Sequence, residues 1–260
     1  MYREVKLEQV QEILDKEPAR YFDEREELED ISLEDNTRYY LSDDMLLIFS
    51  PQRIKTLITA VPLKTDFDLA AMEDFINKRS DRFMIHLNVT GINAGSLRFN
   101  EPYVISDPYK SYWTDGADQT EIKAEVPGRI RPLTDKDTRY VRSFPDEGDV
   151  PGMKLRESFS IYTDDDIGTI LGYFSEEGFL LGYLSYTPSY LDAYSVDGIF
   201  VTPASRRQGI GTALAQKMIE EAHEQGMEAY WPVAQTELVE KTAEKAGFSY
   251  VASRITIESV

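Results

Sequence analysis

The chain has 260 residues, 42% apolar and 29% charged, so it can bury a core for one large or two small domains. Its 47 Asp and Glu outnumber 28 Lys and Arg, a formal net charge of −19; a nucleic-acid partner or an anionic membrane surface, which demand Lys and Arg, is not expected. Cysteine is absent and the only histidines are His86 and His223, which excludes disulfide scaffolds, thiolate zinc sites, cysteine nucleophiles and His-rich metal centres.

The start, MYREVKLEQV, is charged and lacks the apolar region of a signal peptide. No apolar run approaches the roughly 18 residues of a membrane span, so a cytoplasmic protein is expected. Leu7, Val10, Ile13 and Leu14 fall at helical spacing, and Pro18 ends that segment. The acidic run Asp23-Glu24-Arg25-Glu26-Glu27 predicts a solvated helix face. Apolar runs at 39–41, 45–49 and 56–61, broken at Asp43-Asp44 and Pro51-Gln52, predict an antiparallel meander. A helix over 67–78 and a strand over 83–89 follow, with His86 as a structural residue on one strand face. Residues 109–119 are polar and aromatic with little periodicity; Tyr109, Tyr112 and Trp113 would serve either domain packing or an acceptor pocket between the halves. Pro127-Gly128 then interrupts the pattern, dividing the chain into domains 1–126 and 127–260.

The second half opens with a short strand at 130–133. Thr134 sits three residues before Asp137, a helix-start pattern. Strands are predicted over 159–162, 168–174, 178–186 and 194–201, with a turn at Glu176-Glu177-Gly178. A helix over 211–225 gathers Ile210, Ala213, Leu214, Met218 and Ala222 on one face, with Gly226 in capping position and His223 near its C-terminus. A strand over 229–234, a helix over 237–246, a second capping glycine at Gly247 and a strand over 248–257 close the chain.

The segment Val201-Thr202-Pro203-Ala204-Ser205-Arg206-Arg207-Gln208-Gly209-Ile210-Gly211-Thr212 carries chemistry. A strand ends at Val201, a helix opens near Gly211, and a basic, glycine-containing loop joins them. Such a loop offers unpaired backbone N–H groups and the positive end of a helix dipole to an anion. Gly209 and Gly211 let a phosphate approach the backbone, and Arg206 and Arg207 add positive charge. The pattern differs from a dinucleotide fingerprint. Leu214 stands where the third Gly or Ala belongs, and Pro203 and five further residues separate the strand from Gly209. No Lys-Ser/Thr follows the glycines, which excludes a Walker loop.

V-x-P-x-x-R-R-x-G-I-G before an amphipathic helix resembles the acyl-CoA signature of the GCN5-related N-acetyltransferase (GNAT) family. Ile130–Asp137 resembles that family's opening strand and helix, Gly182-Tyr183 falls in its third strand, and Lys245-Ala246-Gly247-Phe248 resembles its closing helix-to-strand step. The likeness covers about residues 129–255. It implies an α/β GNAT fold, a mixed and largely antiparallel sheet flanked by helices; the first half would be a degenerate second copy.

The resemblance implies acetyl-CoA as cosubstrate, no metal, and the amine of a small molecule or peptide as acceptor. The diphosphate would meet backbone N–H groups from about Arg207 to Thr212, including Gly209, Ile210 and Gly211, with Arg206 and Gln208 at the edge. The pantetheine arm would enter between splayed strands and pair with Phe200 and Val201. A backbone N–H near Val201 would polarise the thioester carbonyl. Asp197 occupies the acidic position of the fourth strand, where alternation would place it on one side with Ile199 and Val201; it would take the amine proton. The Tyr that protonates the departing thiolate in this family is replaced by Ala243, and Thr236 stands where many relatives have Asn. Tyr230 is the chosen substitute acid, with Tyr186, Tyr190 and Tyr194 as others. Ala243 also motivates an alternative: a non-catalytic acyl-CoA-binding or regulatory module.

Overall fold

A computed structural model describes residues 1–31, 36–80, 82–89, 96–116, 124–145, 155–156, 159–162 and 167–260. The architecture is α/β, in two compact units: Met1–Ser111 with Val251–Val260, and Tyr112–Tyr250. The chain runs β1 (Arg3–Val5), α1 (Leu7–Leu14), α2 (Phe22–Ile31), β2 (Arg38–Leu41), β3 (Met45–Pro51), β4 (Thr56–Pro62), α3 (Leu69–Asn77), β5 (Phe83–Asn88), β6 (Tyr103–Ile105) and β7 (Tyr109–Thr114). It continues with β8 (Gly128–Pro132), α4 (Thr138–Ser143), β9 (Thr169–Ser175), β10 (Leu180–Pro188) and β11 (Ala193–Val201). Then come α5 (Ile210–Glu224), β12 (Glu228–Ala234), α6 (Glu237–Ala246) and β13 (Ser249–Ser259).

In the first unit the strand order is β1-β2-β3-β4-β5-β13, with β6 also paired to β13. The expected meander is present: β2, β3 and β4 pair antiparallel, from Met45↔Pro62 to Pro51↔Thr56 along β3 and β4. The helix α3 crosses over to β5, which pairs parallel to β4 from Thr56↔Phe83 to Ala60↔Leu87. Met72 and Ile76 of α3 pack with Leu47, Ile58 and Ile85 on one face. Val10 and Leu14 of α1 and Leu28 of α2 pack with Leu46, Ile48 and Val61 on the other. Covered on both faces, β3 is buried from Met45 to Ser50, which is why it reads as an unbroken apolar run.

The acidic run is helical, as expected, but only partly solvated. Glu24 is buried and accepts from Arg254 Nη2 at 2.8 Å and Nε at 3.3 Å, and from Asn88 Nδ2 at 3.2 Å. Arg254 itself is buried and also reaches Asp23. Its partner arrives from the far end of the chain, so local sequence could not announce the ion pair. His86 Nδ1 lies 3.4 Å from Glu27 on the same helix.

In the second unit the order is β8-β9-β10-β11-β12-β7. The strands β8 to β11 pair antiparallel, and β12 runs parallel to β11. Leu214, Met218 and Ile219 of α5, with Ala243 and Ala246 of α6, pack on Leu171, Leu184, Val196 and Trp231. Leu133, Val141, Phe144, Leu155 and Phe159 cover the other face, against Ile170, Phe174 and Tyr183.

Each unit thus presents an antiparallel meander, a crossover helix and a parallel strand. The sixth place is filled by β13 in the first unit and by β7 in the second. The expected division at residue 126 therefore falls inside the second unit. There Glu125 N donates to Gln208 O at 2.8 Å, and Tyr173 Oη donates to Val126 O at 2.6 Å.

Two local expectations are corrected, and one strand is added. Residues 159–162 are helical, not extended; Leu155, Phe159 and Tyr162 repeat at helical spacing and turn inward together. The 109–119 stretch contains β7, whose Tyr112 is buried and whose Trp113 Nε1 donates to Glu228 at 2.9 Å. The charged start contains β1, which exists through its pairing with β2.

The predicted helix start at Thr134 is present and gains a partner. Asp137 accepts from Thr134 N at 2.9 Å and from both terminal nitrogens of Arg131 at 2.7 Å. These contacts, the arginine first, depress the Asp137 carboxyl from 3.8 to about 2. A depressed carboxyl stabilises the fold above its unfolded pKa, and the gain disappears as pH falls through the folded value. Asp137→Asn should cost about 2 kcal/mol at neutral pH and almost nothing at about pH 2, as measured by denaturant unfolding.

Candidate active site

At the end of β11, Thr202 N donates to Leu181 O of β10 at 2.8 Å. Residues Pro203–Ser205 make one 3-10 turn, and Arg206 Nε returns to Val201 O at 3.1 Å. The chain then takes left-handed backbone at Arg207 (φ 62°) and Gly209 (φ 80°) before α5 begins. No side chain caps α5; its entry bond runs from Ala213 N to Gly209 O, at 2.9 Å. Among the described residues, the backbone N–H groups of Arg207, Gln208, Gly209, Ile210, Gly211 and Thr212 have no protein acceptor. Six donors at the positive end of a fifteen-residue helix form an anion cradle.

The corresponding helix of the first unit is closed to an anion. Asp68 Oδ1 accepts from Ala71 N at 3.0 Å, and Asp44 Oδ2 accepts from Asp68 N at 2.9 Å. Carboxylates fill the place an anion would take.

Beside the cradle the sheet opens. The strands β11 and β12 pair only at Ala193↔Glu228, Tyr194↔Ala229 and Ser195↔Tyr230, although β11 continues to Val201 and β12 to Ala234. Because Thr202 N faces β10, alternation turns the peptide groups of Val201 and Ile199 toward the gap. Those of Phe200 face β10, so the peptide groups open to the gap are those of Ile199 and Val201. Phe200 contributes its ring, over which Arg206 lies at 5.4 Å.

Gap and cradle form one cavity of about 900 Å³, lined by Ile199–Val201, by the loop, and by Leu238, Val239, Lys241, Thr242 and Lys245 of α6. Lys241 is not named by any sequence motif, and Lys245 only as part of the closing helix-to-strand step; their spacing of four on a helix is the signal that places both beside the cavity. Gln208 turns its amide back to Ala204 O at 3.3 Å and does not line the cavity.

Asp197 stands apart from its expected neighbours. Register shifts between Ser185↔Gly198 and Tyr186↔Val196, leaving Asp197 as the extra residue of a β-bulge. The bulge changes the alternation: Val196, Ile199 and Val201 face α5, while Asp197 faces away with Thr187. Its Oδ1 accepts from Thr187 Oγ1 at 3.3 Å and its Oδ2 accepts from Tyr162 Oη. Asp197 keeps contact with solvent, but partial desolvation by its surroundings raises its carboxyl, and these two hydrogen bonds oppose the rise.

The tyrosines expected as acids are differently placed. Tyr230 is wholly buried on β12 and does not line the 900 Å³ cavity. Tyr186 donates to Glu221, Tyr194 packs against Tyr186 with the two rings tilted by 46°, and Tyr190 is exposed. Ala243 is buried in the α5 and α6 core. Among the described residues no group of three or more His, Asp or Glu is placed to hold a metal, and no helix is long and apolar enough to cross a membrane.

The second unit thus sets an uncapped helix start beside two diverging strands. Residues 135–248 match the family model described as Acetyltransferase (GNAT) family, and this domain is a GNAT domain. Among solved structures, an acetyltransferase from the GNAT family from Colwellia psychrerythraea aligns over 100% of both chains with a TM-score of 0.56 and 13% identity. A GCN5-related N-acetyltransferase from Sphaerobacter thermophilus aligns over 100% of this chain and 95% of its own, with a TM-score of 0.54 and 14% identity. One from Kribbella flavida covers 93% and 95%, with a TM-score of 0.54 and 12% identity. These likenesses establish the fold over the whole chain. No curated protein matches the sequence.

Proposed function

We propose that the protein is a cytoplasmic N-acetyltransferase that moves acetyl from acetyl-CoA to an amine of a small molecule or peptide. The observation that supports this best is the run of six unpartnered N–H groups from Arg207 to Thr212 opening into the strand gap. Bound there, acetyl-CoA supplies an activated thioester. The loop amides and the Arg206 and Arg207 guanidinium groups hold its diphosphate. The Val201 N–H polarises the carbonyl and carries the charge that develops on oxygen. Asp197 takes the ammonium proton of the acceptor, whose nitrogen then attacks directly, so no enzyme nucleophile is needed. With Ala243 in place of a tyrosine, a water molecule relays the remaining proton of the attacking nitrogen to the sulfur as the C–S bond breaks and the amide forms. The acidic chain suits a cationic acceptor and neither nucleic acid nor an anionic membrane.

Ala243 favours one second reading, an acyl-CoA-binding module without turnover. Titration calorimetry with acetyl-CoA, followed by thioester cleavage against a panel of amines, separates them. The enzyme reading expects one acetyl-CoA bound per chain and CoA release that depends on an amine. Binding without cleavage supports the module, and no binding removes both.

A further inference from the structure

The cluster around Asp197 contains a residue that no motif announced. The bulge leaves Asp197 without a cross-strand partner, so its side chain is oriented by side-chain contacts alone. Thr187 holds one carboxylate oxygen and Tyr162 the other. The tyrosine is set by its own segment, in which Leu155 and Phe159 are buried in the cluster with Phe144 and Tyr183. Its ring borders a separate 270 Å³ cavity with Thr134, Asp135 and Thr169.

We infer that Tyr162 is a positioning residue for acetyl transfer: its hydroxyl fixes the Asp197 carboxylate in one orientation and keeps it ionised to accept the amine proton. The inference rests on the reading of Asp197 as the base. A hydroxyl that donates to a carboxylate stabilises the charged form, which opposes the loss of solvation at this site. Tyr162 is the titratable group in contact with Asp197; Thr187 and Ser185 of β10 are the other polar groups around the pair. Burial first, and the neighbouring carboxylate second, push the Tyr162 hydroxyl far above neutrality, so it remains a donor throughout the working range.

The test is Tyr162→Phe, which removes one oxygen and keeps the ring. The acidic limb of the kcat/KM pH profile should move upward by about one pH unit. Turnover at neutral pH should fall about tenfold, while acetyl-CoA affinity stays within about twofold. Thr187→Val should move the limb in the same direction by less. Independently of activity, carbon-13 NMR of the Asp197 carboxyl, assigned by its loss in Asp197→Asn, should show a higher midpoint in Tyr162→Phe. An unchanged midpoint in the folded variant overturns the inference. A raised midpoint supports the hold on the carboxylate even if Asp197→Asn keeps full activity, a result that would instead remove the base assignment.

Discussion

Replacing Gly209 with valine is expected to weaken acetyl-CoA binding by about a hundredfold, roughly 2.7 kcal/mol. Gly209 has φ 80°, a left-handed backbone that a β-branched residue adopts only with strain. It also lies in the middle of the six open N–H groups, where a side chain would project into the space a diphosphate needs. The two effects can be separated. Asparagine tolerates left-handed backbone, so Gly209→Asn should recover most of the melting temperature while affinity stays low. Gly211→Ala should be milder, because its Cβ would meet Thr242 Cγ2 at 3.3 Å within a regular helix. Titration calorimetry reads each case. Unchanged affinity in Gly209→Val would remove the cradle as the acetyl-CoA site.

Asp197→Asn should reduce kcat by about a hundred- to a thousandfold, the usual loss on removing a general base, and leave acetyl-CoA affinity within about twofold. The direction of the pH response follows from the raised carboxyl. Asp197 must be ionised to accept a proton, so wild-type turnover falls as pH drops through its raised pKa; the variant lacks that limb. Stability responds with the opposite sign. A folded pKa above the unfolded one means that ionisation costs the fold stability, and this cost develops as pH rises from the unfolded value through the folded one. Because Asp197 is exposed, solvent keeps this cost small, and Asn carries no charge to desolvate. The variant should therefore melt no lower than wild type at neutral pH, even as activity is lost. Full turnover at every pH would assign the proton transfer elsewhere.

The parts that were legible share one property: they were written in consecutive residues. The meander of β2, β3 and β4 announced itself through apolar runs and turn dipeptides. The helix α5 did so through periodicity and Gly226, and the loop at Arg206–Gly211 through charge and glycine before a helix. The parts that were misread depend on partners far away. The strand β7 lacks clean alternation because one of its polar residues, Ser111, is buried against Arg254, more than a hundred positions later. Glu24 looks like a solvated surface acid until Arg254 is brought to it. Asp197 appeared to share a face with Ile199 because strict alternation hides a bulge, which exists only in the register with β10. Tyr162 carried no motif at all.

Sequence by itself determined the α/β class, the glycine-containing loop before α5 and the order of elements from β9 to β13, because helical periodicity, glycine conformation and helix-end electrostatics act within a dozen residues. Only the tertiary structure decided that β7 ends the strand order of the second unit and β13 that of the first, that β11 and β12 part after Ser195, and that Asp197 turns toward Tyr162. Strand neighbours and register are selected by the burial of whole faces and by hydrogen bonds between distant segments, so no local pattern records them.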